Sequence, residues 1–199
     1  MFAPNVRGSS GFGRAFGCAD DREGRHAAIA DVAACVDYVL TAGIAQAGRI
    51  GCAGRSYGGY LTLEALVRYP ELFAVGVDVC GIANFATFYA HAEPWIAAAA
   101  TAKYGDPIEN AELLRDLSPI HRIDRLIAPL LVVHGAHDTN VPVQEAEQVV
   151  AALAARGATH RYLLFEDEAH ELLATANRVA FVQATVAWLA QHLLKRPNE

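Results

Sequence analysis

Arg49-Ile50-Gly51-Cys52-Ala53-Gly54-Arg55-Ser56-Tyr57-Gly58-Gly59 is the stretch on which the reading of this chain turns. Residues 49–53 read as a short strand. After the turn, Leu61, Leu63, Ala65, Leu66 and Val67 continue as a helix that Tyr69-Pro70 ends. Between strand and helix stands Gly-x-Ser-x-Gly, the pattern of a sharp turn that presents a serine at its tip. Such a turn forces Ser56 into a strained backbone, at a cost of ~1–3 kcal/mol. Gly54 and Gly58 flank it at two residues' distance, where a Cβ is expected to obstruct the approach of helix to strand. The helix N-terminus beneath the serine favours negative charge, and the Tyr57 amide is placed to donate to an oxyanion.

Working outward, the same alternation of strand and helix recurs. Upstream, Ile29, Val32, Val36, Val39 and Leu40 share a helical face, with Gly43 as the stop. Downstream, 73–79 (FAVGVDV) reads as a strand ended by Gly81. Residues 82–125 hold aromatics and turn signals, and short helices with loops are expected there. Leu130-Leu131-Val132-Val133 has the length and character of a buried strand. Pro142 opens a helix through about residue 156, His160–Phe165 is the last strand and 177–194 the last helix. This order argues an α/β fold with a mostly parallel sheet covered by helices on both faces. Chemistry in such sheets collects at the C-terminal strand ends. Residues 1–6 read as the end of an apolar strand running into a Gly/Ser-rich loop at 8–17. One domain over 1–199, incomplete at its N-terminus with its first strands missing, is therefore expected.

A serine hydroxyl is a poor nucleophile until a base takes its proton. With this turn, the partners follow in the order serine, acid, histidine. Asp138 comes just after the 130–133 strand and His170 just after His160–Phe165, so both belong to the rim that carries Ser56. His134 and His137 precede or abut the acid, break that order and read as structural. His26 and His192 read as surface residues. Asp78, within an apolar strand, is a weaker alternative acid. Glu166 and Asp167 stand close before His170 and are expected to shape its loop. No His-Glu-x-x-His occurs, and Asp167, Glu168, His170 and Glu171 lack a second histidine at ligand spacing, so no metal is expected.

Composition narrows the class. The 199 residues are 53% hydrophobic and 19% charged, which is the balance of a globular chain. A net charge of −6 without a run of Lys and Arg makes nucleic acid a poor partner. No apolar stretch reaches the ~18 residues that a membrane span needs. Cys18, Cys35, Cys52 and Cys80 form no Cys-x-x-Cys pair. Cys52 and Cys80 lie in apolar runs, where a thiol behaves as a small hydrophobe, and a cytoplasmic location follows weakly.

Several stretches resemble the prolyl oligopeptidase family of serine peptidases, particularly its acylaminoacyl-peptidase and dipeptidyl-peptidase-like branches. They are Asn5-Val6-Arg7-Gly8-Ser9-Ser10-Gly11-Phe12-Gly13, Gly54-Arg55-Ser56-Tyr57-Gly58-Gly59-Tyr60, Tyr69-Pro70-Glu71-Leu72-Phe73, Ser118-Pro119, the run 129–141 (PLLVVHGAHDTNV) and Glu168-Ala169-His170. The resemblance implies the α/β-hydrolase fold and a catalytic domain that cleaves short peptides or acyl-peptides. It implies Ser56, Asp138 and His170 as the catalytic triad, the Tyr57 N–H as oxyanion donor, and no cofactor. Asn140 and Val141 match a pair near the substrate's P1 residue, and Val79, Ile82 and Phe85 match the P1 pocket wall. Homo-oligomerisation is compatible with it. The family has Gly where this chain has Ala169, and a His-Gly-Gly-Pro-like loop of which no trace precedes Phe2. Two other readings stay open: an esterase or other acyl hydrolase, since one triad serves amides and esters alike, and a catalytically impaired fragment acting only as an interaction module.

Overall fold

The computed structural model describes residues 1–194. Four strands, β1 (Gly51–Arg55), β2 (Val75–Val79), β3 (Leu130–Gly135) and β4 (His160–Phe165), lie side by side in chain order, all parallel. Parallel neighbours need a crossover between them, and helices supply it. Helix α1 (Arg14–Gly17) is a single turn, and α2 (Arg25–Thr41) precedes the sheet. Helix α3 (Tyr57–Arg68) joins β1 to β2. Between β2 and β3 run α4 (Phe85–His91), α5 (Pro94–Tyr104), α6 (Ala111–Asp116) and a 3-10 stretch. Helix α7 (Gln144–Ala155) joins β3 to β4, and α8 (Thr175–Leu189) closes the chain, continued by a π-helical turn at Ala190–Leu194.

The apolar run at β3 is buried on both faces along its length. Leu130 and Val132 pack toward α3 and α7, against Leu63, Leu66, Val149 and Leu153. Leu131 and Val133 turn the other way, toward Phe165 and Trp188 of α8. Each fully buried side chain of this kind stabilises the fold by about 1.5–3 kcal/mol, so β3 anchors both layers. On β2, Val75, Val77 and Val79 face α8, which leaves Gly76 and Asp78 on the α3 side. A third apolar cluster, with Ile29, Tyr60, Ile82, Phe85, Leu117 and Val141, ties the α4–α6 segment to α3 beside the rim of the sheet.

Two expectations are corrected. Residues 1–6 are not strand: they have no regular structure. A strand exists only through its pairing. Here the segment is instead tied to α2 by Phe2, whose ring lies tilted at 5.6 Å from that of Tyr38, and by the Arg7–Asp31 ion pair (2.8 Å) that follows it. His192 is not a surface residue; it is half-buried with its ring 4.2 Å from that of Trp188. Elsewhere the differences are of one to three residues, as where the helix after Pro142 begins at Gln144.

Candidate active site

Because the four strands run the same way, whatever follows each of them meets at one rim. Ser56 follows β1, Cys80 follows β2, Asp138 lies three residues beyond β3 and His170 five beyond β4. Ser56 has φ 55° and ψ −117°, a left-handed backbone that a β-carbon disfavours. Its N–H is held by Val79 O at 2.8 Å, and its carbonyl accepts from Tyr60 N–H at 3.0 Å. The turn is thus clamped from the neighbouring strand and from the first turn of α3.

The glycines do this differently from what the pattern suggests. A Cβ on Gly54 would stand 2.1 Å from the Gly58 carbonyl oxygen, so Gly54 must be bare. A Cβ on Gly58 would meet nothing within 4 Å, and the sterically required partner is Gly59, whose Cβ would lie 2.8 Å from Val79 O. It is the backbone of Gly58, not its hydrogens, that occupies the tight spot.

The three side chains singled out from the sequence are brought together. His170 Nε2 lies 3.0 Å from Ser56 Oγ, and His170 Nδ1 lies 2.7 Å from Asp138 Oδ2. The other carboxylate oxygen, Oδ1, accepts the N–H groups of Asn140 and Val141, both at 2.9 Å. Burial alone would raise the Asp138 pKa. Hydrogen bonds from His134, His170 and the Val141 N–H outweigh it and hold the carboxyl well below the usual range. Asp138 is therefore a fixed anion facing one edge of the imidazole.

His134 is closer to this site than a merely structural residue need be. Its ring is buried, with Nε2 2.9 Å from Val141 O and 3.4 Å from Asp138 Oδ2. Both neighbours are acceptors, so Nε2 carries the proton and donates. His137 is exposed and lends only its backbone N–H, to Glu168 O at 2.9 Å. Asp78 is fully buried on the floor of the rim and accepts the Gly81 N–H at 3.0 Å. Burial pushes it up to about 7, and the Asp138 side chain already occupies His170 Nδ1.

The His170 loop is held mainly by Glu168, with Asp167 taking part as expected from its position. Glu168 accepts from Leu173 N–H (2.8 Å), Ala174 N–H (2.9 Å) and Asn177 Nδ2 (2.8 Å). Asp167 adds a bond from Asn177 Nδ2, while Glu166 is exposed. At Gly135 a Cβ would stand 2.2 Å from Ala169 O, so the Asp138 and His170 loops approach over a bare glycine. Ala169 has no positive φ and fits without that form of strain. Arg55 donates to the His170 carbonyl oxygen at 2.6 Å and pairs with Glu171 at 2.7 Å. The Gly135 and Arg55 contacts had no signal in the sequence, because each partner is remote along the chain.

Tyr57 starts α3, which places its N–H at the positive end of that helix beside Ser56. Its hydroxyl donates to Asp20 Oδ2 at 2.9 Å, and the buried guanidinium of Arg25, itself paired with Asp20, lies 4.8 Å from its ring centre. Of the expected substrate-facing residues, Asn140 is half-buried, while Val79, Ile82 and Val141 are buried. Phe85 is fully buried, with its ring 4.7 Å from Tyr104 and 5.5 Å from Tyr60, and presents no surface. A buried Glu145 on α7 pins this segment by accepting from Ala83 N–H (2.9 Å), Asn84 N–H (2.7 Å) and Thr87 Oγ1 (2.5 Å). Cys80 Sγ, an Asp138 oxygen and a His170 nitrogen all lie within 4.8 Å of one another. Burial, then the Asp138 charge, pushes that thiol up to about 12, so it is no rival nucleophile at neutral pH.

Comparison with known proteins identifies the family and the fold. The sequence profile of the Prolyl oligopeptidase family matches residues 1–196. Dipeptidyl aminopeptidase BIII of Pseudoxanthomonas mexicana is 35% identical over 97% of this chain, which covers 29% of that protein. Among solved structures, a Mycobacterium tuberculosis puromycin-hydrolyzing peptidase superposes with a TM-score of 0.91 at 27% identity, over 98% of this chain and 30% of that one. The Pyrococcus horikoshii acylaminoacyl peptidase gives 0.88 at 25% identity, over 98% and 32%. The chain thus spans less than a third of the length of these relatives.

Proposed function

Since the chain belongs to the prolyl oligopeptidase family, we propose that it hydrolyses peptide bonds of short peptides through an acyl-enzyme on Ser56. The observation that carries this reading is the pair of contacts at His170: 3.0 Å from Nε2 to Ser56 Oγ and 2.7 Å from Nδ1 to Asp138 Oδ2. With Asp138 ionised beside it, Nδ1 keeps its proton and Nε2 presents a lone pair to the serine hydroxyl.

In the first half of the reaction Ser56 Oγ attacks the carbonyl carbon of the scissile amide while Nε2 takes the hydroxyl proton. The carbonyl oxygen becomes an oxyanion, which the Tyr57 N–H at the head of α3 receives. One such donor is worth about 10²–10³ in rate. Collapse of the tetrahedral species expels the amine, which leaves with the proton from Nε2. Water then enters and attacks the acyl carbon as Nε2 takes its proton; the bond to Ser56 Oγ breaks, Nε2 returns the proton to Oγ, and the acid is released. Throughout, Asp138 orients the ring and stabilises the imidazolium without itself being protonated.

Relatives named for dipeptidyl and acylamino-acid release favour amides of short aminoacyl chains as substrates. The test is a serine-directed fluorophosphonate followed by aminoacyl p-nitroanilides and short acyl esters. Labelling that disappears in Ser56→Ala, with anilide turnover, is the expected result. Turnover of esters alone reassigns the chain to the esterases. A folded chain that takes up no label is an interaction module instead.

A further inference from the structure

Cys80 stands at the rim, and the proposed reaction leaves it without a task. It follows β2 directly, is 3% exposed and has φ 43°, so it shares with Ser56 the strained left-handed backbone. Its N–H is spent on Val133 O at 2.9 Å, which fixes the residue between the strands that lead to Ser56 and Asp138. From there its sulfur reaches the same small volume as the carboxylate and the imidazole, with the three donor atoms within 4.8 Å of one another. Residues 80 and 138 are buried and residue 170 is half-buried.

We propose that Cys80, Asp138 and His170 form a binding site for a thiophilic divalent cation of the Zn²⁺ class, and that a cation held there switches the triad off. A thiolate, an imidazole and a carboxylate are together a ligand set that Zn²⁺ accepts, whereas Mg²⁺ and Ca²⁺ require mostly oxygen donors. Bonds of about 2.0–2.3 Å place the ligand atoms of a tetrahedral ion about 3.5 Å apart, so the widest separation, 4.8 Å, must close by about 1 Å. Three protein ligands leave the fourth position to water.

The proton balance explains the inhibition. On binding, the Cys80 S–H bond breaks, the sulfur–metal bond forms and the proton passes to solvent; no electron changes hands. At His170 the ion takes one ring nitrogen. Through Nε2, it occupies the lone pair meant for the Ser56 proton. Through Nδ1, the remaining ring proton resides on Nε2, which again has no lone pair. By either route the base is lost and the Asp138 contact to the ring is disturbed. The inhibitory consequence rests on the hydrolase reading above; the binding does not.

The two are separated by measuring them separately. Co²⁺ is titrated into the 199-residue chain carrying Ser56→Ala, and the thiolate-to-cobalt absorption band is followed. One equivalent is expected to develop the band, Cys80→Ser to abolish it, and Cys18→Ser, at an exposed cysteine, to leave it unchanged. With Ser56 intact, Zn²⁺ is expected to slow fluorophosphonate labelling at least tenfold, reversibly on chelation. Cys80→Ser and Cys80→Ala are expected to label at the parent rate with or without Zn²⁺; whichever of them melts as the parent does carries the comparison. Absence of the band in the folded chain, its survival in Cys80→Ser, or equal slowing of parent and variant overturns the proposal. A band in a chain that never labels supports the site and instead sinks the hydrolase reading.

Discussion

Arg55, the residue immediately before Ser56, grips the backbone of His170: its guanidinium donates to the His170 carbonyl oxygen at 2.6 Å and pairs with Glu171 at 2.7 Å. The nucleophile's strand end and the base's loop, 115 positions apart in the chain, are thereby strapped together. An exposed ion pair contributes little to stability, here with side chains 42% and 65% exposed. Its consequence is positional, and misplacement of a catalytic group by about 1 Å costs about 10² in rate. Arg55→Ala is expected to lower kcat about 10- to 100-fold with little change in KM or Tm. Glu171→Gln, which leaves the bond to the carbonyl, is expected to lower it less than about 3-fold. Steady-state kinetics on an aminoacyl anilide decide, and equal effects of the two variants would refute the strap.

The two buried aspartates are expected to behave oppositely. Asp138→Asn removes the anion at His170 Nδ1 and turns the ring toward the unproductive tautomer, for a loss of about 10³–10⁴ in kcat. Asp78→Asn keeps an acceptor for the Gly81 N–H and is expected to change kcat by less than about 3-fold. The reverse order of effects reassigns the acid.

Their titrations give opposite slopes of stability against pH. The folded pKa of Asp138 is depressed, so its contribution is present above the unfolded value of about 3.9 and is lost as pH falls through the folded one. Asp78 is raised to about 7, so the folded chain holds a proton that the unfolded chain has released, and stability declines as pH rises from about 4 toward 7. Urea melts across that interval are expected to show a flatter profile in Asp78→Asn than in the parent. An unchanged slope would mean that residue 78 is ionised at no cost.

Of the two glycines in the Gly-x-Ser-x-Gly pattern, only one is sterically required. Gly54→Ala places a carbon 2.1 Å from backbone that cannot yield, and a loss of about 3 kcal/mol or more is expected. Gly58→Ala enters open space within α3 and gains the helix preference of alanine, about 0.5–1 kcal/mol. Thermal melts of the two variants check this. A Gly58→Ala chain that melts with Gly54→Ala would show that the helix start cannot accept a side chain.

How far the chain could be read depended on distance. The strand, turn and helix around Ser56 are encoded in a dozen adjacent residues, and the apolar run at β3 is as plain in composition as in burial. Residues 1–6 look like a strand by the same local criteria and are not one, because a strand needs a partner and its partner is not written locally. Cys80 looks like any cysteine in an apolar run. Its nearness to Asp138 and His170 follows only from the parallel order of the sheet.

The sequence by itself determined which residues end the strands, and with them the order serine, aspartate, histidine along one rim. Periodicity and turn chemistry act over a few residues, and those choices need nothing more. Tertiary structure alone decided which backbone tolerates a Cβ, which carboxylate reaches the imidazole, and that Arg55 and Cys80 stand against His170. These are contacts between segments dozens of residues apart, created only when packing on both faces of the sheet brings the strand ends together.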